Sequence, residues 1–133
     1  MKTFNYYEYN SKRFDTSAEA EQVRNFIFAF KDGKQWATDY AADMVVNSFV
    51  DTYGDKASDF VLVCAPAANN KKYCKRFNRF AQMVSKGARV QNGNEHISIY
   101  GERTAKHLTA DRVCESFGYS VRLDKDYFKG KKV

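Results

Sequence analysis

The residues best placed to do chemistry are six small or turn-forming ones, Ala65, Pro66, Ala67, Ala68, Asn69 and Asn70, which run directly into Lys71 and Lys72. Before them stands Asp59-Phe60-Val61-Leu62-Val63-Cys64, apolar from its second residue on, as expected of a strand covered on both faces. After them comes a basic stretch with helical spacing. A strand, a small-residue loop and a helix make half of a βαβ unit, and ligands of open parallel sheets bind beyond the strands' carboxyl ends. Small residues let backbone amides approach a ligand, and the first amides of the next helix favour an anion. Lys71 and Lys72 in that first turn oppose the helix dipole at a cost of about a few tenths of a kcal/mol each, which a local anion would relieve. The competing reading is an ordinary βα connection. Neither G-x-x-x-x-G-K-[ST] nor G-x-G-x-x-G is present.

Arg76 and Arg79 follow on one side of the same helix. Lys72, Lys75, Arg79 and Lys86 make a nearly continuous stripe. Such a stripe either funnels phosphate groups or is a solvated face. A second polar cluster is Tyr100-Gly101-Glu102-Arg103-Thr104-Ala105-Lys106-His107-Leu108. Here Arg103 can clamp a phosphate and His107 can exchange a proton near neutral pH, although a polar surface loop has the same composition. His107 has no identifiable partner, and His96, leading a strand, reads as structural. No nucleophile elbow, H-E-x-x-H or clustered metal ligands occur, so no catalytic residue and no metal site are assigned. Cys64, Cys74 and Cys114 form no C-x-x-C pair and read as reduced, mostly buried thiols.

The charge is divided. Residues 1–60 carry ten acids and seven bases, net −3, whereas residues 61–133 carry six acids and fifteen bases, net +9. Between Val61 and Asn94 there is no acid. So one-sided a half attracts anions: phosphates, nucleotides or nucleic acid. The 133 residues, 44% of them hydrophobic, suit a single globular domain. Neither a membrane-length apolar run nor an export signal is evident, so the expected location is the cytoplasm.

Around these groups the sequence predicts the following elements. Thr3 to Phe14 alternates loosely and reads as a strand or hairpin. Thr16-Ser17-Ala18-Glu19 fits a capping box, and Val23, Phe26, Ile27 and Phe30 follow at helical spacing to a stop at Asp32-Gly33. A second helix over about 35–53 carries Trp36, Tyr40, Met44, Val45 and Phe49 on its apolar face and ends at Gly54. Its Asp39, Asp43 and Asp51 read as solvent-facing. The basic helix runs from Lys71 to about Ser85 with Tyr73, Phe77, Phe80, Ala81 and Val84 inward, and Gly87 ends it. Strands are expected at His96–Tyr100 and Tyr119–Leu123, with a short helix over Asp111–Ser116 between them. The fold class expected is α/β, a mostly parallel sheet flanked by helices, with N-terminal helices. Residues 1–58 would pack on 59–133.

Taken in order, these segments resemble the first part of a type I phosphoribosyltransferase domain of the ComF-like group. The pieces are Phe60-Val61-Leu62-Val63-Cys64-Ala65-Pro66-Ala67, Lys75-Arg76-Phe77-Asn78-Arg79-Phe80, Gly101-Glu102-Arg103-Thr104-Ala105-Lys106-His107, and Tyr127-Phe128-Lys129-Gly130-Lys131-Lys132-Val133. The resemblance implies a pyrophosphate-binding loop after the first core strand. It also implies a mobile loop beginning in Gly101–Leu108 and phosphate-handling roles for Arg76 and Arg103. Phosphoribosyl diphosphate or pyrophosphate would be the ligand, with Mg²⁺. The family's next strand, which ends in paired acids and a Thr/Gly-rich loop, is not found after Val133. The expectation is therefore a truncated, phosphoribosyltransferase-like protein that keeps an anion-binding loop without being a competent transferase alone, completed by another chain or self-associating at an open sheet edge. The alternative expectations are a small basic nucleic-acid-binding protein, or an interaction module completed by a partner chain.

Overall fold

The computed structural model describes residues 2–104 and 116–133. The chain opens without a regular element up to Asp15. The expected strand or hairpin at Thr3–Phe14 is not formed. Instead Arg24, buried in the first helix, reaches back with Nη1 to the carbonyls of Asn10 at 3.0 Å and Asp15 at 2.8 Å. Those two bonds tie the segment to the helix and replace a strand ladder.

Helix α1 spans Ala18–Lys31. Its cap is Ser17 rather than Thr16: the Ser17 hydroxyl accepts from the Ala20 N–H, while the Asp15 carboxylate takes the Ser17 N–H at 2.9 Å. Glu19 and Glu21 then flank the third helical position instead of filling it, so the capping box is not closed. Helix α2 spans Gln35–Tyr53, as its periodicity predicts, and ends at Gly54. Its buried face differs from the one expected. Ala37, Thr38, Ala41 and Ala42 are buried, whereas Trp36 is 60% and Tyr40 52% exposed. Small residues let a neighbouring helix come close, and that neighbour is α3 (Asn70–Ala88). Gly87 belongs to this close approach. It does not end α3, and a Cβ there would stand 2.8 Å from Val46 Cγ2. The helix closes one residue beyond Ala88, on Arg89 in the left-handed region at φ 60°.

A 3₁₀ segment, Gly54–Asp59, leads to β1 (Val61–Leu62), which α3 connects to β2 (Gln91–Asn92). The two strands pair in parallel, Val61 opposite Gln91 and Leu62 opposite Asn92. The unit is therefore a complete βαβ, with strands of two residues each. On the other side of β1 the tail returns in parallel: Phe60 bridges Lys132, and the Val61 N–H donates to the Lys132 carbonyl at 2.7 Å. A second 3₁₀ segment, Gly93–His96, precedes β3 (Ile97–Arg103). β3 pairs antiparallel with β4 (Ser116–Leu123), and the short α4 (Lys125–Phe128) follows. The ladder slips between Tyr100 and Glu102, at Gly101, whose φ of 69° suits a bulge that a side chain would strain. The fold is α/β. Its described strands make one parallel pair and one longer antiparallel pair, in place of the mostly parallel sheet expected. The short helix expected at Asp111–Ser116 lies outside the described residues, except for Ser116, which opens β4.

One apolar core joins both parts of the chain. Ala41 and Ala42 of α2 meet Tyr73, Phe80 and Val84 of α3, Cys64 and Ala67 of the loop, and Ile99 of β3, with Phe26 and Phe30 of α1 against its edge. The predicted inner stripe of α3 is thus the stripe that packs.

Candidate functional site

The loop after β1 is held mainly through its carbonyls. Cys64 is buried, its N–H donating to Asn94 Oδ1 at 2.8 Å and its carbonyl accepting from the Tyr73 hydroxyl at 3.4 Å. The Tyr119 hydroxyl donates to the Ala67 carbonyl at 2.9 Å, and the Arg103 N–H to the Ala68 carbonyl at 2.9 Å. Asn69 caps α3, its Oδ1 accepting from the Lys72 N–H at 2.9 Å, while its Nδ2 donates to Glu102 Oε1 at 3.2 Å. The loop is thus clamped between α3 and the hairpin. Ala67 is buried with the core; Ala65, Pro66, Asn70 and Lys71 are exposed. Among the described residues no protein acceptor meets the backbone N–H groups of Ala65, Ala68, Asn70 or Lys71. The amide of Cys64 is consumed by Asn94, and the amides that meet no acceptor among the described residues lie on either side of the buried Ala67.

Beside the start of α3 lies a cavity of about 460 Å³. Lys71, Lys72, Lys75 and Arg76 of α3, with Asn69, form one wall; Phe28, Lys31 and Asp32 at the end of α1 form the other. Among the described residues five cations face one carboxylate. Lys75 Nζ lies 3.0 Å from Asp32 Oδ1, and Lys34 Nζ 3.6 Å from Asp32 Oδ2. The Lys75 bond and charge hold the Asp32 carboxyl below its ordinary range. Arg76 Nε donates to the Lys31 carbonyl at 3.2 Å, and its guanidinium stands 5.6 Å from the Phe77 ring centroid. Burial lowers its pKa, yet a guanidinium stays charged at any physiological pH. Arg76 is thus preset on two sides. Lys31, the one cation that α1 contributes to this cavity, is 40 residues away in the chain and gave no signal in the basic run.

Arg79 is turned elsewhere. Its Nε and Nη2 grip Asp39 of α2 at 2.8 and 3.2 Å, a fork-to-fork pair. It does not line the cavity, and Asp39, at the solvent edge of α2, is its partner across the helices. Arg103 sits in β3, its guanidinium 5.2 Å from the Tyr119 ring centroid, and Thr104 follows the strand. Lys106 and His107 lie outside the described residues. His96 has a structural setting: Nδ1 is 3.3 Å from Asp124 Oδ2, and the ring stacks on Tyr127 at 3.4 Å and 8°. The Tyr127 N–H, ahead of His96, keeps the Asp124 carboxyl below its usual value.

Burial pushes the Cys64 thiol up to about 11, so it is an inert core group, while Cys74 is half-buried. Cys114 lies outside the described residues. Among the described residues no three His, Cys, Asp or Glu side chains come together as a metal site. Likewise no described helix is long and apolar enough to cross a membrane. The arrangement can hold an anion by amides and cations; among the described residues it places no nucleophile beside a base. Comparison of the chain with protein-family models, with curated proteins and with solved structures finds no match to any of them.

Proposed function

We propose that the protein binds a phosphorylated small molecule of the pyrophosphate type, across the 64–70 loop and the first turn of α3. The carrying observation is the convergence of Lys31, Lys71, Lys72, Lys75 and Arg76 on the cavity beside a helix N-terminus whose first amides meet no acceptor among the described residues. Element order supports a phosphoribosyltransferase-like version of this site. A parallel βαβ unit is followed by a hairpin rooted on the loop, and the tail then returns beside β1 at Lys132. In that version the run of Lys132, β1 and β2 is the nucleus of a parallel sheet. The residues in hand supply its pyrophosphate side. Any Mg²⁺ would arrive on the ligand's phosphates, since no described acidic cluster holds it.

Thermal melts with pyrophosphate, phosphoribosyl diphosphate, orthophosphate and single-stranded DNA test the reading. A ligand at 100 times its Kd adds about 2.7 kcal/mol to the native state. The expected result is a saturable stabilisation by the two diphosphates, reduced in Lys31→Gln and Lys71→Gln and unchanged in Arg79→Gln. Absence of a diphosphate effect, alongside DNA binding that weakens steeply with salt, overturns the proposal in favour of a backbone-dominated nucleic-acid interface.

A further inference from the structure

The opposite end of α1 borders a second cavity of contrary character. It has a volume of about 640 Å³ and lies between α1, the start of α2 and the N-terminal segment. Tyr7, Phe26, Trp36 and Tyr40 are its aromatic walls, and Glu19 is the one charged residue among the described residues that line it. Phe26 meets Tyr7 edge-on at 5.8 Å and Tyr40 edge-on at 5.5 Å, and lies tilted to Trp36 at 6.1 Å. Phe26 is therefore the common neighbour of the other three rings, and none of them lies flat on it. Tyr7 and Tyr40 are braced by their hydroxyls, 3.2 Å apart. Trp36, Tyr40 and Tyr7 remain 60%, 52% and 45% exposed, although α2 has a buried face available a few residues away. Among the described residues no lysine or arginine lines the hollow, in a chain whose net charge is +6.

Aromatic faces attract cations through their quadrupoles within about 6 Å of the ring centroid, and a weakly hydrated ammonium loses least on entering. We propose that this groove binds an N-methylated ammonium group, held by the faces of Tyr7, Trp36 and Tyr40 with Glu19 as counter-ion. A trimethylammonium fits the chemistry better than a bare lysine. Its methyl groups pack on the ring faces and need no hydrogen bonds, whereas a primary ammonium would leave water that the ring faces do not replace and would be served only at the polar rim of Glu19, Gln22 and Asn25. The site is independent of the anion cavity and of the proposal made for it.

Trp36 is the chain's single tryptophan, so its emission reports this groove alone. Choline and Nα-acetyl-trimethyllysine amide are titrated separately, with sodium chloride at equal ionic strength and dimethylbutanol, the neutral carbon isostere of choline, as controls. The expected result is a saturable change with the ammonium ligands and a response to the isostere at least about fivefold weaker. The tighter of the two ammonium ligands tells whether the group is carried by a free small molecule or by a lysine side chain. Tyr40→Leu keeps an apolar wall and removes a π face; about a tenfold rise in Kd is expected, with about a threefold rise for Glu19→Gln. Circular dichroism shows whether each variant is folded. Equal binding of choline and its neutral isostere, unchanged affinity in folded Tyr40→Leu, or no saturable response overturns the proposal.

Discussion

The parallel unit β1–α3–β2 and the antiparallel hairpin β3–β4 reverse the expected relation between strand length and anchorage. β1 and β2 have two residues each, yet Val61, Cys64, Val84, Val90, Gly93 and Asn94 around them are buried. Side chains complete what the short ladder lacks, as where Asn94 Oδ1 takes the Cys64 N–H and Ser85 Oγ donates to the Val90 carbonyl at 2.6 Å. The hairpin strands have seven and eight residues, paired along their length apart from the bulge at Gly101, but their Ser98, Tyr100 and Arg122 face solvent. Ladder length measures local pairing; burial decides which region the rest of the molecule depends on. The hairpin matters to the candidate anion site through three bonds to the loop, from Tyr119, Arg103 N–H and Asn69 to Glu102.

The sharpest way to break this comparison is a methyl group in each region. In Gly93→Ala the new Cβ would stand 2.5 Å from Val61 Cγ1 and 2.9 Å from the Leu62 carbonyl oxygen. Backbone on the other side leaves no room to yield, so a cost of about 1–3 kcal/mol is expected, read as a fall of several degrees in Tm. Gly118→Ala in β4 meets nothing within 4 Å and is strained only by its φ of 61°. About 1 kcal/mol is expected there. A larger loss from Gly118→Ala than from Gly93→Ala would show that the hairpin, and not the buried unit, anchors the fold.

A smaller effect sharpens the link between the regions. Tyr119→Phe removes one bond to the Ala67 carbonyl, worth about 1 kcal/mol, and leaves ring packing in place. If the hairpin positions the loop, pyrophosphate Kd rises in this variant, while choline titration of Trp36 is unaffected. An unchanged pyrophosphate Kd with a lowered Tm would make the bond purely structural.

What was legible in the sequence divides along the same line. The three long helices could be read because each carries its own periodicity and turn residues: α2 begins and ends where Gln35 and Gly54 place it. The inward stripe of α3 was legible for the same reason. The burial of α2 was not. Trp36 and Tyr40 are more apolar than Ala37 and Ala41, but what a helix buries depends on which neighbour can approach, and small residues admit α3 most closely. The parallel strand after Asp59 was visible as an apolar run, though not its brevity, since the run continues into residues that pack without pairing. In the candidate site the loop and α3 were contiguous in sequence and therefore readable. Lys31, and the Asp39 that occupies Arg79, come from helices 40 residues away, and nothing local announces such a pairing.

The smallest expected effect concerns the surface pairs across the helical layer, Asp39–Arg79 and Asp32–Lys75. The Arg79 hydrogen bond lowers the Asp39 carboxyl below its ordinary 3.8, and Lys75 does the same for Asp32. A carboxyl depressed in the folded state contributes stability above its unfolded value and loses it as pH falls through the lower, folded one. Both pairs are solvent-exposed, so their contribution is weak and screened by salt. Melts of the wild type and Arg79→Gln are expected to differ slightly and constantly between about pH 5 and 8, to converge in acid as Asp39 is protonated, and to coincide at about 1 M salt. Combined with Gly93→Ala, the Arg79→Gln loss should simply add, because the two sites share no partner. A gap that survives acid and salt would mean that Arg79 acts by packing its aliphatic stem on α2, and the α2–α3 seam would then join the buried unit as a second anchor of the fold.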